Sequence, residues 1–132
     1  MSGYSSSLRL DLTLSQVCRR FRMTARAIRY YEEQDLIDVR RDRRNYRRYD
    51  TAASQRLARI AELRGAGVSI QDIRHILTDK EGDGGRSSAI DALRRRRTSL
   101  QDELIKVEQC LTTLSAEARR DGGHARLQVA AA

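Results

Sequence analysis

The side chains best suited to engage another molecule crowd into two stretches of this chain. In TARAIRYYEE, residues 24–33, Thr24, Arg26, Arg29 and Tyr30 are spaced to share the exposed face of a short helix near its N-terminal end. An arginine can fork onto a guanine edge or clamp a phosphate. A tyrosine can bond a phosphate through its hydroxyl while its ring holds position. In VRRDRRNYRRY, residues 39–49, six arginines and two tyrosines fill eleven positions. That density suits a polyanion, with duplex DNA ahead of RNA, an anionic membrane or an acidic protein; a solvated face is the bland alternative.

The remaining reactive types are sparse. Cys18 and Cys110 lie 92 positions apart, without C-x-x-C spacing or further cysteines to complete a zinc or iron–sulfur set. Both read as reduced thiols, Cys18 in a core and Cys110 as a packing residue. His75 and His124 have no constellation around them. No nucleophile, acid/base pair or metal set emerges, so neither an enzyme nor a cofactor is expected. The formal charge is +8, and residues 14–49 hold eleven arginines against five acids. A localised positive field of this kind attracts nucleic acid through counterion release. Lacking a long apolar run or a signal-like N-terminus, the chain is expected to be cytoplasmic and nucleoid-associated, with no membrane partner.

Several elements must position the two basic stretches. Thr13 followed by Gln16 opens a helix in a capping box, with Leu14, Val17, Cys18 and Phe21 on one face. Thr24 caps a second helix to about Gln34 that buries Ala27, Ile28 and Tyr31. Two short helices so closely joined suggest a helix-turn-helix. Leu36, Ile37 and Val39 read as a strand, RDRRN as a turn tolerating left-handed backbone at Asn45, and YRRY as the returning strand of a wing. Asp50 caps a third helix to about Arg64, with Leu57, Ile60, Ala61 and Leu63 inward, and GAG ends it. Ser69 opens a fourth helix with Ile70, Ile73, Ile76 and Leu77 on its apolar face. EGDGGRSS then reads as a helix-breaking linker.

Beyond it, Ile90, Arg97, Leu104, Leu111 and Ala118 recur every seven residues, and Leu93, Leu100, Val107 and Leu114 follow three later. These are the a and d positions of a heptad repeat. A lone helix of about 30 residues cannot bury such a seam against itself, so a second copy is expected to cover it.

TLSQVCRRFRMTARAIRYYEEQDLI, RNYRRYD and LARIAELRGAGVSIQDIRHIL together resemble the MerR family of bacterial transcriptional regulators over roughly residues 12–77. The ordered motifs R-Y-Y-E, Y-R-x-Y and G-x-S-x-x-x-I carry the resemblance. It implies a mainly α fold, a winged helix-turn-helix domain followed by a long antiparallel coiled-coil dimerisation helix. The expected layout is a flexible N-terminal tail at 1–11, the DNA-binding domain at 12–81, a linker at 82–87, the dimerisation helix at 88–118 and a flexible tail at 119–132.

The resemblance further implies a homodimer on a near-palindromic promoter operator, distorting the DNA so that RNA polymerase engages both promoter elements. Carried over by position, DNA contacts fall on Thr24, Arg26, Arg29 and Tyr30 of the recognition helix and on Arg43, Arg44, Tyr46 and Arg47 of the wing. Tyr31 and Tyr49 match structural positions, and Asn45 replaces the family's usual wing glycine. Dimerisation is expected through Ile90, Leu93, Leu100, Leu104, Val107, Leu111 and Leu114. Relatives that sense metals use more than one cysteine near the end of the dimer helix; this chain has Cys110 alone, at position g. The chain also looks too short for a large C-terminal effector domain. A small-molecule effector would need a pocket between the dimer helix, the fourth helix and the partner subunit. Arg94 to Arg97 would lie near such a pocket, although long arginines at a coiled-coil edge explain that run more simply. The competing function is an effector-independent architectural or polymerase-associated DNA binder.

Overall fold

The computed structural model describes residues 11–80 and 82–130, with side chains described through Gly123. Apart from Asp11, the expected N-terminal tail lies outside the described residues, as do residues 131–132 and the side chain of His124. In chain order the elements are β1 (Leu12–Thr13), α1 (Leu14–Phe21), α2 (Ala25–Glu33), β2 (Arg40–Arg41), β3 (Arg47–Tyr49), α3 (Thr51–Gly65), α4 (Ile70–Thr78) and α5 (Arg86–Ala130). The chain divides into two compact units, Met1–Leu93 and Arg94–Ala132.

Local capping chemistry explains most element limits in the first unit. Thr13 Oγ1 accepts from the Gln16 N–H at 3.2 Å, and Gln16 Oε1 accepts from the Thr13 N–H at 2.9 Å, completing the capping box of α1. Arg22 stops α1 in the left-handed region at φ 53°, and Thr24 Oγ1 caps α2 by accepting from the Ala27 N–H at 3.1 Å. Asp50 and Ser69 cap α3 and α4 in the same way, from Ala53 and Asp72. α3 ends where Gly67, at φ 83°, lets Val68 N–H reach back to the Leu63 carbonyl. Val68 and Leu63 are both buried there.

A single core joins these helices. Val17, Ile28, Leu36, Leu57, Ile60, Leu63 and Ile73 are essentially inaccessible, with Tyr49 among them. Each aliphatic side chain so buried contributes about 1.5–3 kcal/mol. Ala61, expected inward, is only partly buried, as is Ala27.

The wing departs from its sequence reading. Leu36, Ile37 and Val39 do not form a strand. Asp35 takes φ 56°, the Leu36 N–H bonds the Tyr31 carbonyl at 3.0 Å, and the Asp35 N–H bonds the Glu32 carbonyl at 3.0 Å. This Schellman closure of α2 turns the chain at once and drives Leu36 and Ile37 into the core. The first wing strand is therefore β2, just beyond. The sheet has three strands in the order β1-β3-β2, all antiparallel, with Leu12 opposite Tyr49 and Arg41 opposite Arg47. β1, unforeseen because two residues carry no periodicity, ties the start of α1 to the wing.

The expected linker is also different. Asp83 accepts from the Gly85 and Ser87 N–H groups at 3.1 and 2.9 Å and from the Ser87 hydroxyl, so the segment starts α5 at Arg86 rather than separating domains. These hydrogen bonds, Ser87's first, hold the Asp83 carboxyl below the usual carboxylate range. Ala89 and Ala92 are buried in the core, and the first unit consequently runs to Leu93.

The second unit is the rest of α5. It stays helical through Ala130 instead of ending near 118 or unwinding from about Asp121. Leu100, Leu104, Val107, Leu111 and Leu114 are 44–61% exposed along it, so among the described residues nothing covers this apolar stripe fully.

Candidate nucleic-acid interface

α2 presents its functional side chains because its other face is anchored. Ile28 and Tyr31 are buried, which leaves Arg26, Arg29 and Tyr30 outward. The paired tyrosines divide the work. Tyr31 is core, and Tyr30, 43% exposed, stands edge-on to it with ring centroids 5.8 Å apart. Such an edge-to-face pair fixes the exposed ring's direction. Thr24 is exposed, with its hydroxyl oxygen engaged as the cap of α2.

The wing is organised by one carboxylate. Asp42 Oδ1 accepts from the Arg44 N–H at 2.9 Å and the Tyr46 N–H at 3.0 Å, while Oδ2 accepts from Arg48 Nε at 3.2 Å. The Tyr46 N–H, then that of Arg44 and the Arg48 guanidinium, hold the Asp42 carboxyl below its ordinary value. Asn45 supplies the left-handed turn at φ 66°, and its carbonyl accepts from Arg41 Nη1 at 2.9 Å. Stability from Asp42 is therefore present above the unfolded value of 3.8 and is lost as pH falls through the lower folded value. Asp42→Ala is expected to accelerate amide exchange at Arg44 and Tyr46 by about tenfold or more, the opening of a loosened wing. Unchanged exchange would show that the turn holds itself without Asp42.

Cross-strand pairing sets Arg40 against Arg48 and Arg41 against Arg47. Like charges so placed repel. Three acids offset part of this: Arg48 meets Asp42 at 3.2 Å, Arg47 meets Glu32 at 2.9 Å, and Arg40 meets Asp50 at 3.6 Å. Arg26, Arg29, Arg43 and Arg44 form no ion pair among the described residues.

An open groove of about 990 Å³ brings the parts together, lined by Thr13 to Ser15 at the start of α1, by Arg29 of α2 and by the wing from Arg41 to Arg48. Six arginines and one acid line it. Of the residues singled out from sequence, Arg29, Arg43, Arg44, Tyr46 and Arg47 meet there. Thr24, Arg26 and Tyr30 lie outside it, on the exposed face of α2. Tyr46 is 65% exposed. Arg47 differs in kind, being half-buried with its Nε on Glu32, where it braces the wing against α2. Sequence reasoning missed Asp42 as organiser, Arg41 and Arg48 as lining residues, and Ser15 at the α1 N-terminus, where free N–H groups and the helix dipole favour an anion. Asp42 followed by Asn45 in a strand-to-strand turn was the available signal for the organiser.

Beneath the groove Tyr49 is fully buried, and its hydroxyl has no hydrogen-bond partner among the described residues. Burial pushes its pKa up, with the nearby Glu32 adding to the effect. It works as a wing anchor.

Residues 12–80 match the family described as MerR HTH family regulatory protein. No curated protein sequence matches the chain. Among solved structures, a MerR family transcriptional regulator of Listeria monocytogenes aligns with TM-score 0.56 at 22% identity, over 80% of this chain and 82% of that one. HiNmlR, described as a MerR family regulator lacking the sensor domain and bound to promoter DNA, aligns with TM-score 0.56 at 22% identity, over 75% and 79%. A lead(II)-bound transcription regulator of Ralstonia metallidurans aligns with TM-score 0.57 at 24% identity, over 78% and 84%. At these identities the likeness is one of fold. With more than half of its length matched by the family model, and with this fold around a basic groove, the chain belongs to the MerR family of helix-turn-helix transcriptional regulators.

Proposed function

We infer that this protein is a sequence-specific regulator that binds a near-palindromic promoter operator as a homodimer and distorts the DNA to control transcription by RNA polymerase. The observation that carries this reading is the groove in which Arg29 of α2 faces the arginines of the wing around a single acid. A helix can enter a major groove about 12 Å wide while a flanking hairpin follows the phosphates. Residues 12–81 form the DNA-binding body in this reading and residues 88–118 the dimerisation segment. The description of HiNmlR as bound to promoter DNA supports the choice of ligand. No described helix is long and apolar enough to cross a membrane, which fits action at the nucleoid.

The roles of two arginines separate base reading from backbone binding. Arg29→Ala is expected to weaken operator binding by about 1–3 kcal/mol and to change sequence preference, whereas Arg44→Ala should weaken all sequences alike and reduce the salt slope by about one. Fluorescence anisotropy on operator and scrambled duplexes over a salt series reads both. Equal loss on both duplexes at Arg29→Ala would remove its base-reading role.

Genome-wide occupancy by crosslinking and sequencing tests the whole reading. A few sharp peaks over palindromes in promoter spacers, with cleavage hypersensitivity at the operator centre, are expected. Broad occupancy without a motif would instead establish the architectural alternative.

A further inference from the structure

We propose that Glu32 is a positioning residue that sets DNA specificity, by withholding Arg47 from the phosphates and tying the wing to α2. The proposal rests on the sequence-specific reading above and gives a role to an acid outside the groove lining. Glu32 Oε2 accepts from Arg47 Nε at 2.9 Å. Among the ion pairs of the described residues, this one joins α2 to the sheet. Arg48–Asp42 lies within the wing, Arg40–Asp50 links the wing to the α3 cap, and Arg59–Glu62 lies within α3. The side chains of Arg47 and Glu32 are 25% and 28% exposed, against 74% for Arg40, so solvent and salt screen this pair less. A charge-assisted bond from a planar guanidinium fixes direction as well as distance.

The choice of partner matters. Arg29 precedes Glu32 by three residues on α2, a spacing at which a helical ion pair is available. Glu32 nevertheless takes Arg47, and Arg29 is left without an ion pair among the described residues. One acid thus leaves an arginine of α2 open to a base edge and removes an arginine of the wing from the cations open to phosphate. Burial chiefly raises the Tyr49 pKa, Glu32 adds to the rise and Arg47 opposes it, which puts both charges beside the buried anchor of the wing. An unpaired arginine beside a polyanion binds every sequence alike, since phosphates carry no base information. Arg47 lines the groove, so its release adds a phosphate contact. Each such contact steepens the fall of log K with log salt by about 0.9, which at about 0.1 M salt is an eightfold gain on any duplex. Against a genome of competing sites, the ratio of specific to non-specific affinity is what selects an operator. An untied wing also meets the duplex at a range of angles to α2, and the preorganised geometry that reads sequence is weakened.

Anisotropy over a salt series tests this on two probes, the duplex that the native chain enriches from a random library and a mixed-sequence duplex. The chains compared are the native one, Glu32→Gln, and Glu32→Gln with Arg47→Gln, whose net charge equals the native. Glu32→Gln is expected to bind the mixed-sequence duplex about eightfold more tightly at about 0.1 M salt, with a slope steeper by about 0.9. Its preference for the enriched duplex should fall by a similar factor. The double variant should return the mixed-sequence affinity and slope to native values while the preference stays reduced. A native slope in Glu32→Gln would overturn the withholding of Arg47. A double variant with a slope shallower than native by about 0.9 would overturn it too, because Arg47 would then already hold a phosphate in the native chain. Full preference in the double variant would remove the tie between the wing and α2. A native chain that enriches no duplex would instead defeat the sequence-specific reading on which the proposal stands.

Discussion

Leu104→Glu is expected to convert the protein to a monomer and to remove most of its operator affinity. Leu104 occupies a heptad a position, is 56% exposed and lies among the exposed apolar residues of α5. In a dimer the substitution acts twice. Each copy forces a carboxylate without a partner into an apolar seam, at a cost of several kcal/mol per charge, enough to abolish an association that depends on about thirty residues of helix. The DNA effect is then a matter of linkage. Two half-sites held by one dimer bind with an effective concentration that raises avidity by about 10² to 10⁴, and a monomer forfeits that factor without losing any contact of α2 or the wing. Sedimentation velocity and anisotropy on a full operator and on a half-site distinguish the cases. Full-operator affinity should collapse toward the unchanged half-site value. A variant that still sediments as a dimer would show the heptad to be misassigned.

Gly85→Ala should destabilise the first unit by about 3 kcal/mol, for a backbone reason. Gly85 is buried at φ 79°, and a Cβ there would stand 2.1 Å from the Ile76 carbonyl oxygen, with the Ile76 carbonyl carbon at 3.1 Å. The left-handed conformation alone disfavours alanine by about 1–3 kcal/mol, and overpacking against backbone that cannot swing aside adds a similar amount. The start of α5 would have to move off α4, and Ala89 and Ala92 would lose their places in the core. Gly82→Ala is the control, since a Cβ there meets nothing within 4 Å, and a shift within about 0.5 kcal/mol is expected. Urea unfolding of both variants reads the difference. Matching midpoints would mean that the α4–α5 approach relaxes at little cost.

Much of this molecule was legible in its sequence because local chemistry governs it. The Thr13–Gln16 capping box, the Thr24, Asp50 and Ser69 caps and the faces of four helices each depend on residues within a turn of one another. Spacing therefore determines them. Val17, Ile28, Leu57, Ile60 and Ile73 reached the core for the same reason. The basic character of the interface was likewise a matter of counting, and the family likeness rested on motifs in linear order.

Tertiary structure alone decided the rest. Leu36 and Ile37 have strand-like composition, yet the closure of α2 at Asp35 spends their backbone on a turn and their side chains on the core. Arg47 is spelled like its neighbours, but Glu32, fifteen residues earlier, lies within 2.9 Å of it and converts it from a free cation to a brace. The glycines of 82–85 read as a break, and only the approach of Ile76 shows that Gly85 is required for contact. Each of these outcomes depends on which distant group occupies the neighbouring space. A chain records spacing along itself, and such neighbours arise only once its helices have packed.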